Sequence, residues 1–99
     1  MLVVKYKSKK LEKVCTNFSC AKKDYGERMA TLIHQRIDEI KAATSVDMLI
    51  QFSIGRCHQL QGNRKGEYAM DLVHPYRLVF ENNDKAIQFV KIINIEDYH

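Results

Sequence analysis

Six apolar residues, Tyr25, Met29, Leu32, Ile33, Ile37 and Ile40, fall three and four positions apart, which places them on one stripe of an α-helix. Glu27, Gln35, Asp38, Glu39 and Lys41 take the opposite face. The spacing predicts a helix over about Lys23 to Ala43, one side turned to a core. Further along, the period shortens to two: in Glu67–Val73, Tyr68, Met70 and Leu72 alternate with Ala69, Asp71 and Val73, the pattern of a half-buried strand. A helix must bury its stripe and a sheet one of its faces. A chain of 99 residues has room for one core, so the two periods must share it.

The remaining segments fit around that pair. Leu2–Tyr6 is a short apolar run and reads as a first strand. Ser8 can cap a helix running through Leu11 and Val14, and Asn17–Lys22 reads as a connection. Ser45 can cap a short helical turn through Met48 and Leu49. Ile54–Leu60 reads as a strand weakened by Gly55, and Gln61–Gly66 has turn composition. His74–Pro75 interrupts the strand pattern, Tyr76–Glu81 resumes it, and Asn82, Asn83 and Asp84 form a turn. Ile87–Ile95 is apolar on both faces and is expected to be the central strand. The outcome is one α+β domain over residues 1–99, an amino-terminal strand and two helices packed on a mainly antiparallel sheet.

Charge is distributed unevenly. Residues 1–28 carry eight lysines and arginines against three acidic side chains, and residues 29–99 carry eight against nine. Lys9, Lys10 and Lys13 stand in the basic part, which suits a polyanionic partner such as RNA. Lys5 and Lys7 cut short the apolar start, so no secretory signal is expected, and no stretch approaches the roughly 20 apolar residues of a membrane span. Three cysteines, Cys15, Cys20 and Cys57, are an odd number and lack the spacing of a zinc site. A reducing, cytoplasmic setting with no membrane, metal or cofactor is the expectation.

Two stretches resemble a known family. One is Cys57-His-Gln-Leu-Gln-Gly-Asn-Arg-Lys-Gly-Glu-Tyr68 followed by Tyr76-Arg-Leu-Val-Phe80; the other is Glu96-Asp-Tyr-His99. Both are similar to the HigB toxins, or plasmid-maintenance killer proteins, which share the fold of RelE-type microbial ribonucleases. Two departures stand out: Gln59 follows the histidine where the family often has proline, and Gln61 precedes Gly62 where it often has lysine. Arg56, Arg64 and Lys65 are the neighbouring cations expected to contact RNA instead.

The resemblance implies a ribosome-dependent endoribonuclease that cuts messenger RNA without metal, and the residue types suit that chemistry. The RNA 2′-hydroxyl attacks the adjacent phosphate, so the enzyme must remove one proton, deliver another and stabilise charge on phosphorus. Histidine titrates near pH ~6.5 and can do either proton job, each worth about 10²- to 10⁴-fold. Arginine stays charged and binds phosphate through a two-pronged fork. His58, Arg77, Asp97, Tyr98 and His99 are the candidate catalytic residues, with Asp97 to orient a histidine and Tyr98 to stack on a base or donate to phosphate. His34 and His74 receive no role. The implied partners are the 70S ribosome with its messenger, and a HigA-like helix-turn-helix antitoxin through which alone operator DNA is met. A gyrase poison of the ParE kind shares the fold, but is not expected to need the histidines or the Asp-Tyr-His ending. A non-catalytic nucleic-acid-binding domain leaves that ending without a use.

Overall fold

Side-chain caps divide the first half of the chain into helices. In a computed structural model that describes residues 2–64, 66–82 and 89–97, Ser8 opens α1 (Lys9–Thr16) by accepting a hydrogen bond from the Leu11 N–H. Asn17 ends α1 and opens α2 (Phe18–Tyr25), accepting from the Cys20 N–H. The expected connection over Asn17–Lys22 is therefore mostly helix, because one asparagine serves as stop and start. Gly26 then splits the long helix expected from Lys23 onward. Its φ of 88° and ψ of 168° are open to glycine and strained for other residues, and α3 (Glu27–Ala42) begins just beyond it. Tyr25 shares the apolar spacing of the stripe but belongs to α2. Ser45 opens α4 (Val46–Gln51), accepting from the Met48 N–H. There are thus four α-helices among the described residues, where the sequence pattern predicts two and a turn.

Among the described residues five strands form one sheet: β1 (Val3–Tyr6), β2 (His58–Gln59), β3 (Glu67–Asp71), β4 (Tyr76–Glu81) and β5 (Phe89–Asp97), in the order β1-β5-β4-β3-β2. β1 runs parallel to β5 and the other neighbours are antiparallel, so the sheet is mixed. β5 is interior but lies next to the edge strand β1, and β4 holds the middle. The strand expected over Ile54–Leu60 shrinks to two residues. Ile54–Arg56 is a turn of 3₁₀ helix instead, with positive φ at Ser53, Gly55 and Arg56. Gly55 is needed there because a Cβ would stand 2.8 Å from Arg36 Nε, whose guanidinium donates to the Asp71 carbonyl.

The helices cover one face of the sheet. Met29, Ile33, Ile37 and Ile40 of α3 are buried with Val14, Leu49, Met70, Leu78, Phe80, Val90 and Ile92 in the main core. On the other face, Leu60, Ala69 and Val79 form a small second cluster with Ile93, and among the described residues no helical one belongs to it. Among the described residues no helix is long and apolar enough to cross a membrane.

One irregularity decides what the second face presents. Val79 lies opposite Asn94 and Phe80 opposite Ile92, so Ile93 is an extra residue in β5, a β-bulge. Before the bulge Val90 and Ile92 face the helices; after it Ile95 does, three positions on. The alternation is thereby inverted for the last residues of the strand.

Candidate active site

The helix-free face carries the charged chemistry. Directly opposed residues in an antiparallel pair share a face, so the register lays Asp71, Arg77 and Glu96 in a row across β3, β4 and β5. The next row runs His58, Ala69, Val79 and Asn94, from the edge strand inward. Leu60, Ala69, Val79 and Ile93 make an apolar floor beside these groups.

Glu96 is the hub. Arg77 donates to its Oε2 through Nε at 2.6 Å and pairs with the same oxygen through Nη2 at 2.5 Å. Arg64, from the turn between β2 and β3, donates to Oε1 through Nη2 at 3.0 Å and to Oε2 through Nη1 at 3.3 Å. Arg64 also reaches Glu67 through Nε at 2.9 Å. Arg77 is 9% exposed, the one charged residue in the buried class among the described residues. The hydrogen bond from Arg64, and next those from Arg77, hold the Glu96 carboxyl below its ordinary pKa, and the same contact raises that of Arg64. Both charges are thereby fixed at neutral pH. Arg56 forms a separate, exposed pair with Asp71 at 2.8 Å.

His58 is exposed at the sheet edge, with Nδ1 2.8 Å from the Arg56 carbonyl oxygen. A carbonyl only accepts, so Nδ1 bears the hydrogen and the neutral ring keeps its lone pair on Nε2. Two clefts meet at this residue. One, of about 360 Å³, is lined by His58, Arg77, Arg56, Asp71, His74 and Tyr76 among others. The other, of about 290 Å³, is lined by His58, Arg77, Arg64, Gln61, Gln59 and Leu60. His58 and Arg77 thus border the same open space on two sides, and a group within both clefts would meet a proton carrier and a fixed cation together.

The other expected site residues are distributed differently. Asp97 lies opposite Tyr76, whose ring packs on the helix side against Tyr25 at 6.1 Å. The Ile93 bulge therefore gives Glu96 the face of Arg77 and turns Asp97 to the other. Arg56 and Arg64 flank the clefts but are engaged with carboxylates. Lys9, Lys10 and Lys13 lie exposed on α1, in the helical layer on the far side of the sheet from His58. Lys65, Tyr98 and His99 lie outside the described residues. Glu96 was legible only as the first letter of the closing tetrapeptide, with nothing to mark it as a partner of Arg77. Asp71 was legible as a residue sharing the parity of Ala69. No cluster of three or more metal-ligating side chains occurs among the described residues.

No family model matches this chain, and no curated protein does. Solved structures do. The YoeB/ParE toxin from Agrobacterium tumefaciens is similar with a TM-score of 0.66 at 15% identity, over 100% of both chains. A chain of the YoeB–YefM complex from Staphylococcus aureus gives 0.64 at 20% identity, over 100% of this chain and 98% of its own. The YoeB dimer from the same organism gives 0.65 at 20% identity, over 99% and 97%. At such identities the likeness is one of fold: helices on a five-stranded mixed sheet, matching the YoeB and RelE-like toxin fold from end to end.

Proposed function

We propose that this chain is the toxin of a toxin–antitoxin pair and, in the manner of the HigB proteins it resembles, a ribosome-dependent endoribonuclease acting on messenger RNA in the cytoplasm. The observation that carries the reading is the shared border of His58 and Arg77 on two adjoining clefts, on a fold otherwise seen in toxins.

The geometry suits cleavage by the RNA's own 2′-hydroxyl. That oxygen bonds to phosphorus and loses its proton to a base. The bond from phosphorus to the 5′-oxygen breaks, and an acid protonates the leaving oxygen, giving a cyclic phosphate and a free 5′-hydroxyl. Neutral His58 offers Nε2 as a base, and the protonated ring offers the same nitrogen as an acid. Arg77, immobilised beside it, offers charge where negative charge grows on the phosphate oxygens. The resemblance supplies Tyr98 and His99 for the remaining proton transfer and for base stacking; it also implies Asp97 as the residue that orients a histidine, but Asp97 faces the other side of the sheet from His58. The clefts are small, bordered by eight and six residues, so on this reading the ribosome holds the message. Lys9, Lys10 and Lys13, on the opposite side of the sheet, suit contact with ribosomal RNA rather than with the scissile phosphate.

One similar structure is a YoeB–YefM toxin–antitoxin complex. The partner proposed here is likewise an antitoxin, a HigA-like helix-turn-helix protein that brings operator DNA with it. The deciding experiment is cell-free translation with purified protein, followed by mapping of message ends. New internal ends that require ribosomes support the reading. Efficient cutting of naked message at low protein concentration contradicts ribosome dependence. Intact message together with gyrase-dependent breaks in DNA would transfer the chain to the ParE kind.

A further inference from the structure

Glu96 is a carboxylate with no assigned part in the cleavage proposed above, yet it touches both arginines that border the His58 cleft. We propose that Glu96 is a positioning residue, aimed by the Ile93 bulge, that clamps the Arg77 guanidinium in the orientation needed to receive the scissile phosphate. The inference rests on the reading of the chain as a ribonuclease and adds to it a residue and a backbone device.

Two observations carry it independently. The first is the contact geometry. Arg77 points both Nε and Nη2 at the single oxygen Oε2, so the plane of its guanidinium is set by the carboxylate rather than by rotation of a free side chain. Arg64 grips the same carboxylate from the other side and is itself held by Glu67, which fixes Glu96 in turn. The second is the backbone. With unbroken alternation from Val90 and Ile92, Glu96 would face the helices; the one-residue bulge turns it to Arg77. A bulge costs a strand its regular pairing and serves to re-aim a side chain. An immobile arginine loses nothing to reorganisation when charge develops beside it, whereas a mobile one must be ordered during the reaction. Since Arg77 lines both clefts, this immobilisation acts at the proposed phosphate seat.

The test uses Glu96→Gln, which preserves the shape and removes the charge, on programmed ribosomes. Loss of positioning lowers kcat by about 100-fold, with ribosome affinity unchanged and the far-ultraviolet circular dichroism of the wild type. In Arg77→Ala protein the same substitution should have no further effect, because Glu96 acts through Arg77. The Arg77 Nε–H resonance in nitrogen-resolved NMR reports the clamp without any message present, and should lose its protection from exchange in Glu96→Gln. Full kcat in a folded Glu96→Gln protein overturns the proposal, as does an unmoved Arg77 resonance. A further loss in the Arg77→Ala background, with disappearance of the acid limb of the pH–rate profile, would make Glu96 a proton acceptor and not a positioning residue. A wild-type control that cuts nothing fails before any variant is read. It overturns the ribonuclease reading, and the clamp is then only a feature of the fold.

Discussion

Along β4, Leu78 and Phe80 are wholly buried beneath the helices, while Arg77 and Val79 on the same strand look to the other side of the sheet. The helix face is mostly apolar packing, and the cysteines within it, Cys15 and Cys57, are buried. The second face sets four apolar residues beside a line of ion pairs and an exposed histidine. The comparison teaches how a chain this short holds both a core and a site. The strand period allots alternate residues to the core and to the candidate site, and the second set is held by charge pairing, with no helix packed on that face among the described residues.

The comparison can be broken most severely at Phe80. Phe80→Ala should cost about 3–5 kcal/mol in denaturant unfolding, a large part of the roughly 5–15 kcal/mol that a small domain possesses. A loss below 1 kcal/mol would mean the helix face is not the main source of stability. On the other face His58→Gln should do the reverse. Cleavage on ribosomes falls by about 100-fold or more, while stability, measured by thermal unfolding, stays within about 0.5 kcal/mol because the ring is exposed.

A gentler test uses acid. A carboxyl whose folded pKa is depressed contributes stability that is complete above its unfolded value near ~4.3 and is lost as pH falls through the folded value. Wild type should therefore lose stability below about pH 4.3 more steeply than Glu96→Gln, as read by unfolding at several pH values. Parallel curves would show that the ion pairs of the second face do not couple to folding. The smallest effect on the fold is expected outside both faces. Lys9, Lys10 and Lys13 changed to Glu should leave unfolding within about 0.5 kcal/mol. The same change should weaken ribosome binding and flatten its salt dependence, by roughly 0.7 to 0.9 in slope per lost phosphate contact.

What the sequence shows of this depends on range. The α+β class, the stripe of α3, the caps at Ser8 and Ser45 and the strands at Tyr68 and Tyr76 are all local patterns, and each is visible in the residues. Asn17 reads as a loop because it ends one helix and begins the next, whereas the apolar spacing that continues from Tyr25 into α3 hides the break at Gly26. The strand over Ile54–Leu60 failed for a tertiary reason, the close approach of Arg36 to Gly55. In the site, His58 and Arg77 stand at positions that resemblance singles out. Glu96 lies in a resembling stretch but receives no role from it, because its contact with Arg77 depends on a bulge, and no alternation of residue types in Phe89–Asp97 marks where the extra residue falls. The β1–β5 pairing was equally hidden, since nothing near Val3 indicates that its partner is Phe89.

That parallel pairing also bears on when activity can arise during synthesis. β5 stands between β1 and β4, and it carries Glu96. Until translation has delivered β5, β1 has no sheet partner among the described strands, β4 has one bare edge, and the contact of Arg77 with Glu96 cannot form. Contacts so distant in sequence form late and slowly. A nascent chain emerging from a ribosome, the very particle on which it is proposed to act, therefore carries His58 and Arg77 without the frame that fixes them. The topology withholds that frame from Arg77 until β5 has been made.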